Sequence, residues 1–281
     1  MNGTYIDTPI DERDYPISMA FDEDEDIVLP DRFETSFQPP FAKQVANNCV
    51  AQTLANIMEV MYYKYTEVHR DFSVGFIYGN RYEGQGKGEG MSGYTACSNL
   101  CKDGDIFAEM FENPGTAPSI IDAVAKFKEE HPEWKDKAYI PKMYIRTTDE
   151  EKAKAFIYKY DIPVMAIAKL SEFSIGDDLH AMALYGWEGK TAIMQNSWGE
   201  DDPQKIVRMP LKKIKDFWLI LPFDICNFID LSRKHFAFND IVKCNEKGIV
   251  KGYVDNTFKP DREITRAEFA VMIHRYLKGG G

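Results

Sequence analysis

Cys49 follows Asn47 and Asn48 and heads a stretch in which Val50, Leu54, Ile57, Met58, Met61 and Tyr65 recur at steps of three and four residues. That period predicts a helix of about four turns with one buried face, and either asparagine suits its N-cap. A cysteine in the first turn of a helix meets unpaired backbone N–H groups and the positive end of the macrodipole, which favours thiolate over thiol. A thiolate is a nucleophile for acyl transfer, above all when an imidazole completes an ion pair with it. The same position also suits a small buried residue without chemistry, and position alone leaves both readings open.

The search for an imidazole leads to residues 181–187 and 191–195, two short apolar runs joined by Glu188, Gly189 and Lys190. They read as a hairpin closed by a three-residue loop. With Trp187 opposite Thr191, Met182 faces Asn196, and His180 lies further along the same face within diagonal reach of the amide. A bulge would shift this register by one residue. The Asn196 oxygen would accept a ring N–H of His180 and set its tautomer. Gln44, five residues before Cys49, is a candidate donor to the oxyanion of a tetrahedral intermediate. Taken singly, a histidine at a strand start and a glutamine in a loop are ordinary residues.

These side chains need a scaffold that changes texture along the chain. Residues 1–40 are rich in Asp, Glu and Pro, include the run Asp22 to Asp26, and read as an extended arm packing on residues 41–232. Residues 41–232 run helix-rich first, with further helices expected at 119–130 and 150–160 around a glycine-rich loop at 84–93. They are strand-rich afterwards, from 163–168 onward. That order predicts an α+β fold of two sub-domains with a cleft between them. Residues 236–278 read as a separate helix-loop-helix unit ending in a helix at 266–277, and the terminal Lys-Gly-Gly-Gly as a tail.

The 281 residues carry 44% hydrophobic, 13% aromatic and 28% charged side chains, which excludes disorder as the main state. A net charge of −11 argues against nucleic acid as a partner. The apolar runs are too short for membrane insertion, and the N-terminus lacks the pattern of a secretory signal. Five cysteines, at 49, 97, 101, 226 and 244, form no CxxC pair and no zinc-ligand spacing, so neither metal nor cofactor is expected. Pairs 97–101 and 226–244 are conceivable disulfides, but all five as free thiols is the preferred reading. The histidines at 69, 131, 235 and 274 have no partner pattern and read as surface or core residues.

Two segments resemble a papain-like cysteine peptidase of bacterial or phage type. QVANNCVAQTLANIMEV is similar to the family's Gln, active-site Cys and helix, and HAMALYGWEGKTAIMQNSWGE to its His strand and Asn-Ser-Trp-Gly strand. Arg13-Asp14-Tyr15, Leu29-Pro30 and FSVGFIYGNR at 72–81 extend the likeness over roughly residues 10–225. It implies a papain-like fold with a helical half and an antiparallel sheet or barrel half. It implies Cys49 as nucleophile, His180 as general base and acid, Asn196 as orienting residue, Gln44 in the oxyanion hole and Trp198 as a shield over the Asn196–His180 hydrogen bond. The substrate would be a peptide or protein. The Gln-to-Cys spacing is one residue shorter than usual, Asn-Asn-Cys-Val replaces Gly-Ser-Cys-Trp, and Asp201-Asp202-Pro203 replaces a Trp-Gly segment. A catalytically impaired binding protein on the same scaffold is the alternative. A transglutaminase-like acyltransferase is disfavoured because it usually employs Asp where Asn196 stands.

Residues 238–277 resemble one truncated S-layer homology motif, shortened between Asp240 and Lys243, through Gly248-Ile249, Gly252-Tyr253 and Ile264-Thr265-Arg266-Ala267-Glu268. Such modules typically bind secondary cell-wall polysaccharide, which makes Arg266 the candidate polymer-binding residue and the cell wall the expected location. Self-association or packing on the peptidase is the competing role. The missing signal pattern points instead to the cytoplasm or to release on lysis.

Overall fold

The computed structural model describes residues 5–8, 16–21, 27–112, 115–169, 171, 178–222, 228, 230–231, 235–253 and 257–279. Arg13, Asp14, Tyr15, the acidic run and Cys226 lie outside the described residues. The chain divides into two compact units, residues 1–61 with 69–223, and residues 62–68 with 224–281.

Helices dominate the first half of the larger unit: α1 (Cys49–Thr66), α2 (Val74–Gly79), α3 (Gly93–Asp103), α4 (Ser119–Glu130) and α5 (Glu150–Tyr160). Three of the starts, those of α2, α3 and α5, reflect local capping chemistry. Ser73 accepts the Phe76 N–H, Ser92 the Thr95 N–H, and Asp149 the N–H groups of Glu151 and Lys152, each satisfying a donor that the helix leaves open. The glycine-rich loop is wrapped around Arg81, whose guanidinium donates to the carbonyls of Gly86, Gly88 and Gly90 at 2.8, 2.8 and 3.0 Å. It ends earlier than the sequence suggests, because Met91–Ser92 forms a short strand and Gly93 already opens α3. α1 differs more. Its apolar face is buried as expected, but so are Gln52, Asn56 and Glu59 on other faces, so the helix is enclosed and Gln52 donates to the Asn56 amide oxygen at 3.2 Å.

The second half, joined by one strand of the arm, builds a seven-stranded antiparallel sheet from β2 (Arg32–Glu34), β4 (Met143–Thr147), β5 (Val164–Lys169), β6 (Leu179–Glu188), β7 (Thr191–Gln195), β8 (Ile206–Pro210) and β9 (Asp216–Leu221). The order is β4-β9-β5-β6-β7-β8, with β2 on the far half of β6. β1 (Tyr5–Ile6) pairs in parallel with β3 (Met91–Ser92). The arm therefore supplies two strands to this unit. Arg146 of β4 and Asp216 of β9 form a buried bidentate pair at 3.1 and 2.8 Å.

The β6–β7 register corrects the expected one and then restores it. The loop is two residues long, Glu188 pairing with Thr191 and Trp187 with Ala192, because Gly189 takes the left-handed conformation (φ +55°) that a tight turn needs. A bulge between Leu184 and Gly186 shifts the pairing by one, so Ala183 faces Gln195. The bulge lies where β2 crosses: a Cβ on Gly186 would stand 2.1 Å from the Phe33 carbonyl oxygen. Beyond it, the strands take up the register in which His180 approaches Asn196.

The smaller unit holds α6 (Phe238–Glu246) and α7 (Arg266–Gly279). The Asp230 carboxylate accepts the N–H groups of Phe258 and Lys259, each at 2.7 Å. Thr265 and Glu268 form a reciprocal capping box at the start of α7. Thus two residues of the Thr-Arg-Ala-Glu motif have a structural task, and the helix runs on into the expected tail as far as Gly279.

Candidate active site

Asn196 leaves the end of β7 held on three sides. Its N–H donates to the Lys205 carbonyl at 2.8 Å, its side-chain amide donates to the Gln204 carbonyl at 3.2 Å, and its Oδ1 accepts the Ser197 N–H at 2.8 Å. With the amide so oriented, Oδ1 faces His180 Nε2 at 2.8 Å. An oxygen acceptor there requires the proton on Nε2. Nδ1 is then the basic nitrogen, and it is buried with no hydrogen-bond partner among the described residues. The Trp198 ring lies beside the imidazole, the two centroids 5.4 Å apart and the planes tilted by 36°.

Burial dominates the electrostatics of His180. It pushes the imidazole down to about 4 from its ordinary 6.5, against the opposing pull of the Asn196 hydrogen bond. The ring is neutral at pH 7 in this conformation.

Gln44 is tied to the same strand end. Its N–H donates to the Ser197 carbonyl at 2.8 Å, its side-chain oxygen accepts the Ser197 hydroxyl, and its side-chain amide donates to the Ala46 carbonyl at 3.0 Å. Lys43 bridges Trp198, where Gly199 at φ +98° lets the backbone turn. Ser197 is the residue that sequence reasoning missed, and its place inside Asn-Ser-Trp-Gly was the signal. Cys49 opens α1 five residues after Gln44 and takes part in no disulfide. Cys49 and His180 are both 0% exposed.

The structure thus brings His180, Asn196 and Trp198 together and joins Gln44 to them through Ser197. Cys97, Cys101 and Cys244 likewise take part in no disulfide, so the conceivable 97–101 bridge does not form, and burial pushes the Cys101 thiol up to about 12. His69, given no partner from sequence, contacts Glu59 and Asp71. His131 approaches Glu133, and His235 approaches Asp261.

In the smaller unit, a cavity of about 630 Å³ is lined by Lys251, Tyr253, Lys259, Arg262, Glu268 and Arg275 among others. Arg266 opens α7 in an exposed position and is not one of the lining residues.

Residues 227–270 match the family model of the S-layer homology domain. Over 50 residues the chain is 46% identical to Cell surface glycoprotein 1 of Acetivibrio thermocellus, a match that covers 18% of this chain and 2% of that protein. The chain therefore spans a small fraction of that relative's length. Among solved structures, xylellain, a cysteine protease from Xylella fastidiosa, matches with a TM-score of 0.61 at 19% identity, over 79% of this chain and 97% of that one. A clostridial cysteine protease after propeptide cleavage matches with a TM-score of 0.51 at 17% identity, over 67% of this chain and 57% of that one.

Proposed function

We propose that this chain, which has the papain-like cysteine-protease fold and carries an S-layer homology domain, is a cysteine peptidase that can attach to the cell wall. The observation that carries the first half is the Asn196–His180 hydrogen bond, in a network that dictates which ring nitrogen is basic. In this reading His180 Nδ1 takes the proton of Cys49, and the thiolate attacks a peptide carbonyl. Gln44 and backbone N–H groups stabilise the oxyanion. His180 then protonates the departing amine, and water hydrolyses the thioester to release the acid and the thiol.

Hydrolysis of an unfolded protein substrate by the full chain and two variants tests this. Cys49→Ala abolishes turnover, while Gln44→Ala lowers it by about 10² to 10³. Turnover retained by the Cys49 variant would remove the assignment.

The burial of Cys49 and His180 favours a second reading, a papain-fold binding protein without turnover. A peptide carbonyl reaches neither group until the site opens, so an active enzyme must open it.

For the wall, the reading rests on the S-layer homology match and on the basic residues around the cavity. Secondary cell-wall polysaccharide is the proposed ligand, Arg266 its proposed contact, and the cell surface the proposed location. Arg262 and Arg275 line the cavity of the same unit, and a guanidinium fork suits an acidic sugar.

A further inference from the structure

The fold assembles one cluster that no spacing rule announces. α1 delivers Glu59 into the interior, and the chain returns ten residues later to lay His69 and then Asp71 against it. Glu59 Oε2 lies 3.3 Å from His69 Nε2, which lies 3.6 Å from Asp71 Oδ1. One ligand atom from each residue lies within 4.8 Å of the other two. Ligand atoms bound at about 2.0–2.2 Å to a tetrahedral ion stand about 3.3–3.6 Å apart. The two imidazole–carboxylate edges already have that length.

We propose that Glu59, His69 and Asp71 form a binding site for one divalent transition cation of the zinc class. Imidazole nitrogen with carboxylate oxygens suits zinc, cobalt or manganese, whereas calcium takes oxygen ligands alone. Asp71 is the exposed member, its side chain 75% accessible, so water can enter from its side and fill the remaining position.

A second observation favours a cation at this place. Asp105 is fully buried, and its Oδ2 has no hydrogen-bond partner among the described residues; the same holds for the buried Tyr185 hydroxyl. Asp105 belongs to this neighbourhood because residues 106–108 run beside 71–73: Ser73 N–H donates to the Ile106 carbonyl at 2.9 Å, and Ala108 N–H to the Asp71 carbonyl at 2.8 Å. Asp105 and Tyr185 both feel the negative charge of Glu59. Two carboxylates thus share one imidazole while a third, Asp105, feels the charge of Glu59, and among the described residues no lysine or arginine pairs with any of the three. A divalent ion would supply the countercharge and pin residues 69–71 to α1, a stabilising task separate from peptide hydrolysis.

Cobalt titration of the metal-free full chain, followed by visible absorption, tests the site independently of any peptidase activity. The expected result is one saturating equivalent, with d–d bands, no thiolate-to-cobalt charge transfer, and displacement by zinc. Asp71→Asn, an exposed change that leaves the fold intact, and His69→Gln should each weaken binding at least about tenfold; thermal unfolding of the metal-free variants checks that they fold. Absence of saturable binding, equal binding by folded variants, or a thiolate band would overturn the proposal and leave a plain histidine–carboxylate ion cluster.

Discussion

At His180 burial and hydrogen bonding oppose each other, and burial wins, holding the imidazole at about 4. The folded chain keeps the ring neutral where the unfolded chain binds a proton, between about pH 6.5 and 4. Stability from this group is therefore complete above the unfolded value and falls as the pH drops towards the folded one, by roughly 3 kcal/mol in all. Urea unfolding at pH 7 and pH 4.5 reads this: wild type should lose more stability than His180→Gln, and equal losses would contradict it. A resting thiolate–imidazolium pair is disfavoured in the same closed conformation. The proposed mechanism therefore requires an opening that lets water solvate charge separation between Cys49 and His180.

Elements whose signals are local were legible in the sequence. α4 and α5 occupy the expected residues, because helical periodicity, and in α5 the Asp149 cap, act within a few positions. The pairing of His180 with Asn196 was also legible, through the strand pattern and the Asn-Ser-Trp-Gly signal. The loop length and the Tyr185 bulge were not, since the bulge answers to β2 crossing at Gly186, a contact over 150 residues apart in sequence. The enclosure of α1 and the company of His69 likewise depend on distant chain segments. Gly186→Ala tests the bulge: its Cβ would meet backbone on both Phe33 and Glu34, so β2 must give way. The expected cost is at least about 2 kcal/mol in unfolding free energy, measured by denaturant titration; a change within about 0.5 kcal/mol would show that β2 does not hold this register.

For the whole molecule, a cysteine-protease fold and an S-layer homology domain in one chain are what the proposed hydrolysis at a surface rests on. Arg266 is exposed and its neighbours Thr265 and Glu268 are occupied in capping α7, so its guanidinium is available to a polymer. Arg266→Ala should reduce co-sedimentation with purified cell walls while leaving peptide hydrolysis unchanged; equal retention would point to a packing or self-association role for the domain. The most direct measurement on the peptidase reading is covalent labelling of the full chain with an epoxysuccinyl inhibitor, quantified by intact mass and located by peptide mapping. One equivalent confined to Cys49, lost in His180→Gln, is the predicted result. No adduct, with Cys49 alkylated by iodoacetamide no faster than the unactivated thiols, would contradict it and leave a papain fold kept for binding.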